Sequence, residues 1–425
     1  MVVLVASDDP SDLADEVARI EESVYTGRTA EGEFGVSGVQ ILFKQNCAVL
    51  PRPLTGHEHF GFLDGVSQPG LRGRLSDDET DVLTLRQNPN DPDQGKPGQD
   101  LLWPGEFVFG YPQQIGEPKM GDDGPLEGVN PDPGPVAEAG PVWAKDGSYV
   151  VIRRLRQDVG AFREFISESA SRLGVSGERL AAQLVGRWKS GAPFLRATDS
   201  DIPALGFDDC ANNHFEFQDA SESIEPVPDP TDPTCVEESA LCVDVKFPVS
   251  QGDPQGANCP FASHVRKTYP RDDEGDGLQN INEADTQTHR LLRRGIPFGE
   301  PYYPPAEAGR RSDAGNRGLM FVAYQTSIVR QFEFVIRNWV NNPNFKDKAT
   351  AGGEVISGHD MIIGQSNGKR ESRERVCPVT VTGPDGEPRR EELRSQTDWV
   401  IPTGGGYFFS PSIEALCLLT GTDHS

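Results

Sequence analysis

A chain of 425 residues is long enough to bury a sizeable core and to form more than one domain. Its 40 Lys and Arg stand against 66 Asp and Glu, a formal net charge of −26, so the surface repels nucleic acid and anionic membranes and favours solubility. No apolar run is long enough to span a bilayer as a helix, which excludes a membrane anchor of that kind.

In chain order, Val2-Val3-Leu4-Val5-Ala6 reads as a buried strand. It has no basic region before it and no clear cleavage site after it, so it is not read as a signal peptide. The expected location is therefore cytoplasmic, with secretion as the alternative. The turn Asp9-Pro10-Ser11 offers Ser11 as a helix N-cap, and Leu13, Ala14, Val17 and Ile20 follow at helical spacing. Val36 to Phe43 alternates and then turns apolar, which predicts a second strand and completes a β-α-β unit. Further strands are predicted over Glu106 to Tyr111 and Ser148 to Leu155. A helix follows over Val159 to Leu173, burying Phe162, Phe165, Ile166 and Leu173. Leu319 to Tyr324 reads as a central strand. Ile328 to Val340 reads as an amphipathic helix burying Ile328, Phe332, Val335, Ile336 and Trp339, and Tyr407 to Phe409 as the last strand. Residues 112–140 and 219–257 are rich in Pro, Gly and acid and are expected as surface loops.

Seven cysteines, at 47, 210, 235, 242, 259, 377 and 417, form no Cys-x-x-Cys pair and no zinc spacing, a pattern that fits a reducing compartment. Cys235 and Cys242 are near enough to pair, but spacing alone does not decide it. Asp272-x-Glu274-x-Asp276-Gly277 with Glu283 has the spacing of a calcium-binding loop. Glu at its third position, Gln279 at its eighth and the lack of strong flanking helices favour a solvated acidic loop.

Two distant segments carry the chemistry. His59-Phe60-Gly61-Phe62-Leu63-Asp64-Gly65-Val66-Ser67-Gln68-Pro69 is a glycine-flanked turn that exposes one carboxylate, a candidate general acid/base. Cys259-Pro260-Phe261-Ala262-Ser263-His264-Val265-Arg266-Lys267, followed by Arg271, places one imidazole among cations. That suits a metal ligand beside an anionic cofactor. Either segment alone would be an ordinary turn or an ordinary histidine.

Together the two segments resemble the dye-decolorizing peroxidases, haem enzymes with a duplicated ferredoxin-like fold. Gly61 to Gly65 matches their Gly-x-x-Asp-Gly motif, and Cys259 to Lys267 their proximal block. Leu292-Arg293-Arg294-Gly295-Ile296-Pro297-Phe298-Gly299 is similar to the distal-arginine segment, and Arg317-Gly318-Leu319-Met320-Phe321-Val322-Ala323-Tyr324-Gln325 to a pocket-lining strand. Shorter similar blocks lie at 105–111, 147–151, 186–188 and 404–412, in the family's order.

The resemblance implies an α+β fold of two ferredoxin-like domains with antiparallel sheets. The first would occupy residues 1–66 and the second, carrying long acidic loops, residues 67–425. It implies His264 as the axial ligand of haem iron and Asp64 and Arg293 as the catalytic pair, with a one-residue ambiguity toward Arg294. Leu319 and Phe321 would line the distal pocket, and Arg266, Lys267 and Arg271 would pair with the haem propionates. Asp360, in Gly358-His359-Asp360-Met361, is the candidate partner of the axial imidazole, its alternative being a turn carboxylate. His57, His59, His214 and His289 are too dispersed for a second metal site.

With no Cys-x-x-Cys-His motif, the cofactor is expected to be haem b, held non-covalently. The implied activity is oxidation of dyes, phenolic compounds or Mn²⁺ by hydrogen peroxide, with Trp188 or Tyr324 among the residues that could relay electrons. The alternative is a haem-binding or deferrochelatase-like protein with little turnover, against which the presence of both Asp64 and Arg293 argues. Oligomeric state is left open. Family members carry a whole β-α-β-β-α-β unit ahead of or around the Gly-x-x-Asp-Gly turn, whereas 63 residues precede Asp64 here, so part of the first domain is expected to be missing.

Overall fold

The structure, a computed structural model, describes residues 1–26, 40–72, 100–117, 120–121, 124–125, 132–138, 140–208, 211–220, 246–273, 282–302, 315–346, 357–365, 374–383 and 385–421. The chain divides into two compact units, Met1–Cys47 and Ala48–Ser425. The Gly-x-x-Asp-Gly turn thus belongs to the larger unit, and the expected boundary after residue 66 moves to residue 47.

The smaller unit contains one helix, α1 (Pro10–Thr26). Its cap is Asp9, not Ser11: Asp9 Oδ1 accepts the Ser11 N–H at 2.7 Å. Leu13, Val17 and Ile20 are half-buried along it, while Ala14 is exposed. The strand expected over residues 2–6 does not form, and Val2, Val3 and Leu4 are exposed. Residues 36–39 lie outside the described residues; 40–43 form no strand, and Leu42 and Phe43 are exposed. An apolar run becomes a strand only when a neighbour takes up its N–H and C=O groups, and the described residues of this unit supply none.

The larger unit is built on an antiparallel sheet of β1 (Ser148–Gln157), β2 (Leu292–Arg293), β3 (Ile296–Phe298), β4 (Gly318–Gln325) and β7 (Val400–Ser410). The order is β7-β1-β4, with β2 and β3 pairing successive parts of β4. Between β1 and β2 run α2 (Val159–Leu173) and α3 (Gly177–Val185). After β4 comes α5, a turn at Phe332–Phe334 that widens into a π-helix at Val335–Val340. This is a β-α-β-β-α-β unit whose last strand lies beside its first, the ferredoxin-like arrangement, and the class is α+β. A hairpin of β5 (Arg375–Thr382) and β6 (Pro388–Ser395) closes over the helices, and α6 (Ile413–Thr420) ends the described chain. None of the described helices is long and apolar enough to cross a membrane.

Local chemistry sets these limits. Asp158 caps α2 by accepting the Ala161 N–H at 3.1 Å, and Ser176 caps α3 through the Arg179 N–H. Gly174 and Gly186, both at positive φ, end the two helices. The strand expected over Glu106 to Tyr111 is instead a 3-10 turn at Pro104–Glu106 that folds back on itself. Gly105 donates to Pro112 O at 2.7 Å, and a Cβ at this residue would meet Tyr111 O at 2.2 Å. The helix expected from Ile328 starts only at Phe332. The buried Gln331 amide accepts the Ser327 N–H at 2.9 Å and donates to Glu106 O and Arg290 O, which holds the preceding turn apart from the helix.

One apolar cluster joins α2, α3, the β5–β6 hairpin and Trp399. Trp399, 1% exposed, packs against Phe162 and Phe165 at ring distances of 5.3 and 4.8 Å. Truncating it leaves a large cavity: Trp399→Ala is expected to cost about 3–5 kcal/mol in urea unfolding. Leu418→Ala on exposed α6 should stay within about 0.5 kcal/mol of the parent. Equal losses for the two variants would show that this cluster does not organise the unit.

Candidate active site

His264 opens α4 (His264–Thr268), a short helix following the Cys259 block. Its Nδ1 lies 2.8 Å from Asp360 Oδ2, and the Asp360 carboxylate is fully buried. Asp360 Oδ1 meanwhile accepts the N–H groups of Ile362 and Ile363 at 2.7 and 3.1 Å. Asp360 is therefore both a turn carboxylate and the partner of His264. Because Nδ1 is engaged, Nε2 is the nitrogen left for a metal, and the carboxylate behind the ring fixes its orientation.

Across the unit, Asp64 and Arg293 meet as the resemblance implies. Arg293 Nη1 is 3.7 Å from Asp64 Oδ1, with both side chains about one-third exposed (31% and 34%). The remainder of the motif steadies the arginine. Arg293 Nη2 donates to Ser67 O at 3.1 Å, and the Gln68 amide exchanges bonds with the backbone of Arg293 at 3.0 and 3.3 Å. Burial and nearby Arg290 press the Arg293 guanidinium below its ordinary value, while Asp64 holds it up. Arg294, by contrast, is exposed and donates to Arg293 O, so of the doublet it is Arg293 that meets Asp64.

Strand alternation gathers the pocket residues. Arg293 pairs with Ala323, Phe321 with Arg153 and Leu319 with Leu155, so Arg293, Leu319, Phe321 and Ala323 share one sheet face. That face looks toward the helices: Leu155 packs against the α2–α3 cluster, and Phe321 lies 6.0 Å from Phe332 of α5.

The cations divide differently from expectation. Arg266 is 1% exposed and bidentate on Asp273, at 2.5 and 2.9 Å, with further bonds to Asp253 and Cys259 O. Lys267, also buried, donates to Asn342 O at 2.8 Å and to Phe345 O; burial pushes it down to about 7, opposed by Asp360. Neither is available to an anionic cofactor, and both are withdrawn from that role. They pin α4 from behind. Sequence proximity to His264 misled here because successive residues of a helix point in different directions.

Arg271 has a partner that sequence reading missed. Asn213 Oδ1 accepts from Arg271 at 2.7 Å and from Arg187 at 3.0 Å, which brings two buried guanidiniums to one amide oxygen. Arg187 also donates to Gly191 O at 2.8 Å and to Asn212 O. Burial, then Arg271 and Arg293, push it down to about 9. Glu216 and Glu283 lie within electrostatic range of Arg271. Burial first, and neighbouring acids next, push both carboxyls up, Glu283 to about 8, which weakens the charge they set against Arg271. Arg187, Arg271 and Arg293 thus form a cationic wall that suits a dianionic ligand, and with His264 Nε2 it fits the donor set of haem. The only sequence signal for Arg187 was its place in the Gly186-Arg187-Trp188 block.

Other expectations resolve plainly. Asp272 accepts the N–H groups of Phe217, Gln218 and Asp219 at 2.7–3.0 Å, while residues 274–281 of the acidic loop lie outside the described residues. Among the described residues, Cys259, Cys377 and Cys417 are free thiols; Cys210, Cys235 and Cys242 lie outside them. Trp188 is buried and donates to Ala197 O at 2.7 Å, and Tyr324 is half-buried against Val150, Ile152 and Val322.

Asp360→Ala would strip the acceptor from two backbone N–H groups and from His264. It is expected to cost about 2–4 kcal/mol in chemical denaturation at neutral pH, against a smaller loss for Asp360→Asn, which keeps one acceptor oxygen. Parent-like stability of Asp360→Ala would refute the anchoring role.

Comparison with known proteins bears on the same residues. The C-terminal model of the Dyp-type peroxidases matches residues 247–351, the stretch that holds His264, Arg271, Arg293, Leu319 and Phe321. Peroxidase 2 of Mycetinis scorodonius is 31% identical over 419 residues, covering 98% of this chain and 64% of the relative. The dye-decolorizing peroxidase of Mycena epipterygia is 31% identical over 423 residues, covering 98% and 65%. The chain thus spans a little under two thirds of the length of these curated relatives. Among solved structures, an ancestral D-type dye-decolorizing peroxidase superposes with a TM-score of 0.64 at 30% identity, covering 96% of this chain and 71% of that one. On this similarity of sequence and fold, the chain belongs to the dye-decolorizing peroxidase family, whose members are haem-dependent.

Proposed function

We propose that this chain is a haem peroxidase that reduces hydrogen peroxide with electrons from dyes and phenolic donors. The observation that carries the reading is the Asp64–Arg293 pair, a carboxylate and a guanidinium 3.7 Å apart beside the pocket face of the sheet. Storage or transport of haem needs neither group, and the names of the relatives agree with turnover.

Haem b would be held without covalent attachment, by His264 at the iron and by Arg187 and Arg271 at the propionates, and when bound it supplies the electrons and orbital partners for O–O cleavage. The protein's own part is proton and charge management. Reduction of H₂O₂ to two waters takes two electrons and two protons, and one proton already on the peroxide must move from the near oxygen to the leaving one. Asp64 is suited to carry it, as an acid/base on an open turn. Arg293 neutralises charge that builds on the departing oxygen, and its connection to Ser67 and Gln68 makes it rigid enough to do so without reorganisation. Asp360 orients the His264 ring. Leu319 and Phe321 make the pocket face apolar, which limits competing water.

Asp64→Asn is expected to slow the stopped-flow reaction with peroxide by ~10²–10⁴, and Arg293→Leu by roughly 10²–10³, both with haem content unchanged. Arg294→Leu, at an exposed position, should match the parent. His264→Ala should lose or displace the haem, read as a shifted Soret band. Parent rates for both Asp64→Asn and Arg293→Leu would overturn the reading.

A further inference from the structure

We propose that Glu58 is a positioning residue for Asp64: by accepting three converging N–H donors its carboxylate holds the loop that presents Asp64, and it loosens that hold when it takes up a proton. The proposal rests on the peroxidase reading above and deepens it.

The loop is closed by backbone bonds from Glu58 N to Phe62 O and from Asp64 N to Gly56 O, each 3.0 Å. Inside it, Glu58 Oε2 accepts the Phe60 N–H at 2.8 Å and Oε1 the Phe62 N–H at 2.9 Å. A third donor comes from the sheet: the amide of Gln157, at the buried end of β1, donates to Oε2 and accepts the His59 N–H at 3.4 Å. The same two residues whose N–H groups meet the carboxylate, Phe60 and Phe62, drive their rings into the core beside Phe162. Glu58 thus ties a loop with no regular secondary structure to both the sheet and the core, just ahead of the stretch in which Gly61 and Gly65 flank Asp64 at positive φ.

Three donors suit an ionised carboxylate, which has acceptor sites on both oxygens. A neutral one carries an O–H that must compete with an N–H for its place. The balance is close. Burial pushes Glu58 up to about 7, the bonds from Phe60, Phe62 and Gln157 pull it down, and the charge of Asp64 adds to the rise. The other charged or titratable groups around the loop are His57 and His59 within it, Arg293, whose guanidinium lies 3.7 Å from Asp64 Oδ1, and Lys189, whose backbone oxygen accepts the Leu63 N–H at 3.0 Å; His59 Nε2 is bonded to Phe298 O of β3 at 2.9 Å. Glu58 is the member of this set whose bonds define the loop. The sign of the linkage follows. With a folded value near 7 and an unfolded value of 4.5, Glu58 contributes stability that is whole below the unfolded value and lost as pH rises through about 7. Charge on Glu58 therefore costs stability while it organises the loop.

The test follows Glu58→Gln in haem-loaded protein through two readouts. In the first, the thermal midpoint of the parent should decline between pH 4.5 and 7 through Glu58, and the variant should lose that part of the decline; this readout involves no peroxide. In the second, the parent's peroxide rate constant should fall as pH drops through about 7. The variant should lose that inflection and run roughly ten- to a hundredfold slower at pH 8, the scale of a misplaced catalytic group, with KM for the organic donor unchanged. Should Glu58→Gln fail to fold, Gln157→Met removes one donor from the charged form and should move both inflections to higher pH. A variant with the parent's rate and pH profile, or a Gln157→Met protein with unmoved inflections, overturns the proposal. Parent rates in Asp64→Asn would instead remove the peroxidase reading on which it rests, while leaving the stability readout to report on Glu58 alone.

Discussion

A single apolar cluster holds both sides of the candidate site, and the rest of the geometry depends on it. Phe60 and Phe62, just before Asp64, belong to it, as do Ala262, just before His264, and Met361 and Ile362, just after Asp360. The cluster also contains the inner faces of α2, α3 and the β5–β6 hairpin, with Trp399 at its centre. Loops bring these polar groups from distant parts of the chain, and loops alone would let them drift. Each is tethered one or two residues away by a side chain that cannot leave a close-packed interior without opening a cavity. Placement of the acid, the imidazole and its carboxylate is thereby linked to the packing of the whole unit.

Against that apolar background the site concentrates charge of the sign opposite to the chain. A protein of formal charge −26 buries the guanidiniums of Arg187 and Arg271 and sets the half-buried Arg293 near enough that Arg271 and Arg293 both press on Arg187. Arg187 and Arg271 are held by neutral oxygens of Asn213, Gly191 and Asn212, which satisfy their hydrogen bonds without cancelling their charge, while Arg293 also faces Asp64. Contrast Arg266, whose contacts with Asp273 and Asp253 leave no net field to offer a ligand. Equal residue types thus do unlike work: a compensated arginine fastens helix α4, and uncompensated ones prepare a place for an anion. The cost of uncompensated burial is an argument that the place is filled in the working protein.

Much was legible in the chain itself. Asp64, His264 and Arg293 stood in phrases long enough to exceed chance, and Asp360 was recognised as the imidazole's partner. The strand from Ser148, the helix over Val159–Leu173 and the strand around Leu319 followed from apolar periodicity, since their buried faces repeat at two and at 3.6 residues. The strands expected at residues 2–6 and 106–111 failed for one reason in two forms. An apolar run states that a segment would gain by burial; it does not state that a partner strand is at hand or that the backbone is free to extend. At 106–111 the glycine-dependent fold-back at Gly105 had already claimed the chain.

What the sequence offered by itself was the set of candidates, one acid, one imidazole and one arginine, because those residues sit in local motifs whose spacing is written along the chain. Tertiary structure decided the assignment of charge. Whether a cation faces a carboxylate or a carbonyl oxygen depends on what the fold brings beside it: Asp273, 7 residues on, for Arg266, but the distant Asn342 and Phe345 for Lys267 and Asn213 for Arg187 and Arg271. Coulomb energies and desolvation penalties depend on separation in space and on burial, neither of which a linear motif contains. For that reason Arg187 and Glu58 entered, and Arg266 and Lys267 left, only when the chain was folded.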